Sequence, residues 1–477
     1  MNPQTTYLRR MQICWVKRFE CLFVTVLCCV SLAAQQRYFV SDIQITGNKM
    51  TKTHIILREL DLKRGDSVLV SRISLLINNS KENLENLSLF NFVDVDYHVI
   101  PQSENQIAVS ISLEERWYYL PLISIKPEDR NTSSWIKNFD MSRITFEVGA
   151  QLYNLFGLNH TISSGLEIGY QQGVNFHYKN VTLDRAQKHF LSAGISIQRS
   201  HNIDVMTVDD APLKLKVPDQ FLTQSIRGYV NYTYRHDVRR THNLSFGCEY
   251  KKMADTIIMI NPHYWGNHRK ERMNMNLQYF FRVDQRDYIP FPLRGHYLKT
   301  EANMFITNDL SVYFAQLRTN AQYYWTLGNR WFAAGKMTAG ASVKNAKAYI
   351  LDKALGYGED VLRGYEYHVI DGQSFISANT TLRFNIIPKK VFVINWLSAL
   401  SKFNKIHFAL YAHSFIDMGV AFHTYPDSSN HLSNQFLYSG GVGLDFVTYY
   451  DIVFTLSYSM NKQQEHGLYF SFKLPFM

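Results

Sequence analysis

From Trp117 to the C-terminus the chain alternates apolar and polar residues with a period of two, which restricts it to a large sheet of β-strands. In residues 142–153, Ile144, Phe146, Val148, Ala150 and Leu152 fall on one face, against Arg143, Thr145, Glu147, Gly149 and Gln151 on the other. Residues 451–460 repeat the pattern, with Ile452, Phe454, Leu456, Tyr458 and Met460 against Val453, Thr455, Ser457 and Ser459. In a soluble sandwich the apolar face would cover a core. In a transmembrane barrel it faces lipid, and the polar face lines the lumen. After residue 40 no stretch offers the roughly 18 consecutive apolar residues of a spanning helix. That excludes a helical membrane protein and leaves a barrel open, because alternation keeps the mean hydropathy low, here −0.21. Composition decides between barrel and sandwich. The chain carries 30 Tyr and 31 Phe, while charged residues make up only 19%. Soluble enzymes rarely hold so many rings, whereas barrels place them in girdles at both membrane interfaces.

Alternating segments of about ten residues are centred near residues 121, 147, 164, 179, 194, 228, 246, 278, 301, 317, 337, 380, 413, 441, 456 and 470. They predict about sixteen antiparallel strands over residues 117–477, an even number as a single-chain bacterial barrel requires. Residues 346–372 fall between the eleventh and twelfth of these segments.

The N-terminus reads as an export signal over residues 1–34. Arg9, Arg10, Lys17 and Arg18 precede an apolar run from Cys21 to Ala34, too short to span a bilayer as an anchor. Small residues at Ser31, Ala33 and Ala34 predict cleavage there, with Met1 or Met11 as the initiator. Four of the five cysteines lie in this segment, which leaves Cys248 and no intrachain disulfide. The formal charge of +10 is spread through alternating segments rather than gathered into a patch, which excludes a nucleic-acid partner.

Residues 38–116 differ in texture. A strand at 39–46 closes at Gly47-Asn48, helical spacing follows at 53–62 and 70–89, and strands are expected at 92–100 and 106–114. The order strand, helix, helix, strand, strand resembles a single polypeptide-transport-associated (POTRA) domain, most specifically in Ile43-Gln44-Ile45-Thr46-Gly47-Asn48-Lys49-Met50-Thr51-Lys52.

Four motifs extend the resemblance over the rest of the chain. Leu362-Arg363-Gly364-Tyr365, with Gly372 and a strand from Ser374, looks like the loop signature of the BamA/TamA superfamily of outer-membrane assembly factors. Phe415-Ile416-Asp417-Met418-Gly419 resembles that family's Phe-x-Asp-x-Gly motif. Asp284, Arg286, Asp287, Pro292 and Gly295 resemble its periplasmic turn. Glu465-x-Gly467-x-x-Phe470-x-Phe472, with Phe476 on the same face, is similar to its C-terminal assembly signal. The resemblance implies that the loop folds back into the lumen and that Arg363 is anchored on acidic residues of the inner wall. Parity places Asp417 and Asp445 on that wall, and the planar Arg fork suits such carboxylates. The family usually carries several POTRA domains, and this chain has room for one.

No Gly-x-Ser-x-Gly elbow, Walker loop or His-Glu-x-x-His motif is present, so no enzyme, cofactor or metal site is expected. The resemblance implies an assembly or translocation factor. Its partners would be outer-membrane lipid, unfolded clients taken up by the POTRA domain, and other components of the assembly machinery. A transporter of a lipid or secreted protein, or a passive pore or surface protein, shares the same fold. Pro121 and Pro475 are expected at the seam between first and last strands, because neither can donate to a ladder.

Overall fold

The computed structural model describes residues 36–473, apart from 102, 104, 128–140, 142–143, 267, 394–404 and 449–451. The expected signal, Pro475 and Phe476 lie outside the described residues. By contact density the chain forms two units. The first reaches Gln44 and includes Asp61–Ser80 and Val95–Ile111; the second is Ile45–Leu60, Lys81–Asp94 and the chain from Ser112 onward.

The N-terminal elements are β1 (Arg37–Thr46), α1 (Thr53–Leu57), β2 (Ser67–Leu69), α2 (Val70–Glu85), β3 (Phe90–Val99) and β4 (Gln106–Glu115). The sheet order is β2-β1-β4-β3. Val40, Leu62, Ile73, Ile107 and Val109 are buried in the first unit. Gly47 ends β1 at φ +88°, and a Cβ there would stand 1.9 Å from the Leu113 carbonyl oxygen, which requires glycine. The first helix is shorter than its apolar spacing predicts. Glu59 and Leu60 continue it as a tightened turn, their N–H groups donating to the carbonyls of Ile56 and Leu57.

Among the described residues, sixteen strands then form one antiparallel sheet. They are β5 (Tyr119–Pro127), β6 (Ile144–Leu155), β7 (His160–Gly169), β8 (Gln171–Thr182), β9 (His189–Ser200), β12 (Thr223–Arg235), β13 (Arg240–Met253), β14 (Glu271–Asp284), β15 (Gly295–Thr307), β16 (Tyr313–Thr326), β17 (Trp331–Lys344), β20 (Ser374–Val393), β21 (Lys405–Phe422), β22 (Leu437–Val447), β23 (Val453–Asn461) and β24 (His466–Lys473). All sixteen expected centres fall inside these strands. The order runs without crossover from β24 back to β5. Alternation sets the faces. Along β21, His413, Phe415, Asp417, Gly419 and Ala421 are buried, while Ile416, Met418 and Phe422 are exposed. The molecule is a transmembrane barrel whose exposed apolar rows face lipid.

Following the chain up β5, connections fall alternately at a turn end and a loop end, and the longest described ones lie at the loop end. The loop end carries a hairpin of β10 (Asn202–Val208) and β11 (Ala211–Lys216), and a short helix, α3 (Asp255–Ile260). Between β17 and β20 it carries a long loop with a small ladder of β18 (Lys353–Leu355) and β19 (Ile370–Asp371).

Candidate functional site

The long loop turns inward at Leu362, Arg363, Gly364 and Tyr365. Leu362 and Tyr365 are buried with Leu355, Phe375, Ala421 and Leu437. Gly364 takes φ +90°, and a Cβ there would lie 2.9 Å from the Cβ of Ser439. Only a residue without a side chain lets the loop backbone approach the wall so closely. Its carbonyl accepts Asn461 Nδ2 at 2.9 Å, and the Tyr365 hydroxyl donates to the Tyr438 carbonyl at 3.2 Å. Gly419 serves the same approach from the wall, since a Cβ there would stand 2.9 Å from Leu362 Cδ1.

Arg363 grips Asp417 with one edge of its guanidinium. Nε donates to Oδ2 at 2.9 Å and Nη2 to Oδ1 at 2.5 Å. The remaining donors go to Thr381 Oγ1 at 3.1 Å and the Thr380 carbonyl at 3.0 Å. The guanidinium lies 3.9 Å over the Phe415 ring, so Phe-x-Asp-x-Gly supplies a stacking face, a carboxylate and a gap on alternate inward positions. Three residues after Arg363, burial pushes the Glu366 carboxyl up to about 7, while its bond from the Gly364 N–H at 2.7 Å opposes the shift.

Asp445 points inward but does not meet Arg363. Its carboxylate is held by His413 Nδ1 at 3.0 Å, Thr455 Oγ1 at 2.7 Å and, more distantly, Arg383 Nε at 3.7 Å. The sequence expectation of two acids for one arginine is corrected here. Parity assigns a side of the wall and not a height along it. Register pairs Asp417 with Ser439 and Tyr411 with Asp445, six residues apart on β21, or roughly 20 Å of strand.

Contacts without a motif complete the closure. Arg318 on β16 joins Glu301 Oε1 at 3.1 Å to the loop's Asp360 Oδ1 at 2.6 Å, a second anchor. The β10–β11 hairpin crosses the mouth. Asp210 accepts the N–H groups of His431 and Leu432, each at 3.0 Å, and its carbonyl accepts that of Val369 at 2.8 Å. The hairpin precedes β12, and residues 430–432 precede β22. These two strands stand eight places apart in the sixteen-strand order, so the contact spans the opening.

At the turn end, Asp284, Arg286, Asp287, Pro292 and Gly295 form one folded connection. Arg286 grips Asp284 at 2.6 and 2.8 Å and lies 4.5 Å over Tyr297. Asp287 Oδ1 accepts the N–H groups of Tyr288 and Leu293. The Pro292 carbonyl accepts Arg383 Nη1 at 3.1 Å, and Gly295 takes φ +102°. Within the same unit, Asn86 donates to the carbonyls of Arg286 and Asp287 and accepts the N–H of Ile289 at 2.9 Å. Glu59, 1% exposed, holds the fork of Arg235 at 2.7 and 2.5 Å.

β5 and β24 stand at the two ends of the strand order, and among the described residues no ladder joins them. Their described parts are Tyr119–Pro127 and His466–Lys473. Pro121 is exposed in β5, opposite Ala150. On β24, Leu468 and Phe472 face outward and Tyr469 inward, while Phe470 stacks on Phe454 at 6.3 Å. Gly467 makes room for the Tyr469 ring, 3.0 Å from where a Cβ would stand.

A transmembrane barrel that holds its own loop by an arginine–aspartate clamp, with a small α+β domain ahead of it, defines a class of outer-membrane proteins. The Omp85 superfamily domain matches residues 154–474, and the POTRA family described as "Surface antigen variable number repeat" matches residues 38–116. The chain belongs to the Omp85 superfamily. Its fold is similar to that of BamA from Haemophilus ducreyi lacking POTRA domains 1–3, at 14% identity and TM-score 0.51, covering 91% of this chain and 84% of that one. CdiB from Escherichia coli is similar at 12% identity and TM-score 0.52, covering 91% and 76%.

Proposed function

We propose that the protein is a non-enzymatic outer-membrane factor that assists insertion or translocation of other proteins, with its POTRA domain in the periplasm. The closed mouth carries this reading. A loop bolted to β21 and β16 and roofed by the β10–β11 hairpin occupies the path that a passive pore would keep open. The route left for a client is the wall itself, at the junction of β5 and β24. A client strand would be delivered by pairing with an open sheet edge, a general mode of peptide capture. Depletion followed by profiling of outer-membrane proteins and lipids tests the reading. Loss of a defined set of barrel or secreted proteins ahead of any lipid change is expected. Lipid changes that come first, with protein levels intact, would point to a lipid transporter instead.

A further inference from the structure

The lipid-facing wall carries a groove of about 660 Å³ across the loop ends of β7, β8, β9, β12 and β13. Two cross-strand rows build it. In the row nearest the loop end, Gln172 stands opposite Arg199, Arg199 opposite Gln224, and Gln224 opposite Lys252. In the next row, Leu166, Val174, Ile197, Ile226 and Tyr250 follow one another in the same way. Alternate positions share a face, so both rows lie on the face of the exposed Phe176, Ile195 and Phe246.

A charged residue on that face is costly in hydrocarbon and settles at headgroup level. Arg199 is exposed; it donates Nε to Gln172 Oε1 at 3.1 Å and lies 4.2 Å over the Phe221 ring. Among the described residues no carboxylate stands against its guanidinium. Lys252 is paired with Glu271 at 2.7 Å, and the Tyr250 hydroxyl donates to the same carboxylate at 2.8 Å.

We propose that this groove is a binding site for a phosphate-bearing lipid. The phosphate sits on the free fork of Arg199, with the Gln172 and Gln224 amides and Lys252 beside it, and the acyl chains run down Val174, Ile197 and Ile226. A guanidinium suits phosphate because its planar donors match two oxygens at once. A neutral lipid would fill the apolar row and leave that fork unmatched. The inference rests on the barrel reading, under which these rows face lipid.

Native mass spectrometry of the full chain in neutral detergent tests it, with dimyristoyl phosphatidic acid and dimyristoylglycerol as probes and inorganic phosphate as competitor. Phosphatidic acid is expected to be retained about tenfold better than the diacylglycerol, and Arg199→Ala to lose about that factor. Glu271→Gln, which releases Lys252, is expected to raise retention. Equal retention of both lipids, unchanged retention in Arg199→Ala, or displacement of the lipid by an equal concentration of inorganic phosphate would overturn the site. Failure of the chain to partition into detergent would instead contradict the barrel reading itself.

Discussion

Asp417, wholly buried, receives three donors from Arg363: the backbone N–H at 3.1 Å, Nε at 2.9 Å and Nη2 at 2.5 Å. Asn379 adds a fourth at 2.7 Å. A carboxylate so placed is stable only with its cation, since burial removes its water. Arg363→Ala is expected to destabilise the loop–wall contact by about 3 kcal/mol, the scale of an orphaned buried charge. The loop should become open to protease and the barrel should unfold earlier in heat-modifiability gels. Arg363→Lys should recover a minor part, because an ammonium cannot serve both oxygens in plane. A loop in Arg363→Ala as protected as in the parent protein would contradict the clamp.

Asp417→Asn and Asp445→Asn should separate. Asp417 shares one network with Arg363, whereas Asp445 belongs with His413, Thr455 and Arg383 some 20 Å along the strand. Combining Arg363→Ala with Asp417→Asn should therefore cost much less than the sum of the single changes. Combining it with Asp445→Asn should cost nearly the sum, within about 0.5 kcal/mol. Strong coupling of Arg363 to Asp445 in a double-mutant cycle would show that the two sites act as one.

The glycines on the loop and wall sides of the contact differ in what they tolerate. Gly364→Ala meets both a positive φ and the Ser439 Cβ, neither of which can move cheaply, and should cost about 2 kcal/mol or more. Gly419→Ala meets the tip of Leu362, a rotatable group, and should cost about 1 kcal/mol. Leu362→Ala should remove most of the Gly419→Ala penalty. Thermal unfolding of the four proteins decides the ranking.

Glu366 makes the loop sensitive to pH. Its carboxyl is raised to about 7 in the folded protein, from an ordinary value of 4.5. The folded state therefore favours the protonated form, and its contribution is full below pH 4.5. That contribution is lost as pH rises to about 7. Protease access to the loop should increase across this window, and Glu366→Gln should flatten the profile. A profile in Glu366→Gln that still rises between pH 4.5 and 7 would assign the effect to another group.

Strand parity was legible from single residues because lipid on one side and lumen on the other impose a strict period of two. Ile416, Met418 and Phe422 facing out force Asp417 in, and the four-residue loop motif marks its partner. Height along the strand was not legible. It depends on shear between strands, which no local pattern encodes, so parity alone does not tell which cation Asp445 meets. The β10–β11 hairpin was missed because its strands are short and a register shift between Asp204 and Met206 breaks the alternation. Arg318 and Asp360 are single charges with no motif around them, and only the folded loop brings them within 2.6 Å.

On the proposed function, clients leave through the seam between β5 and β24. Pro121 lies in β5 and cannot donate to a ladder. Each hydrogen bond missing at a seam lowers its opening cost by about 1 kcal/mol. Cysteines introduced on facing positions of β5 and β24, in a Cys248→Ser background, allow that seam to be locked by oxidation. The locked protein is expected to stop supporting its clients and to regain activity on reduction, while the reduced double-cysteine protein behaves as the parent throughout. Client levels unchanged by a fully formed seam disulfide would contradict it.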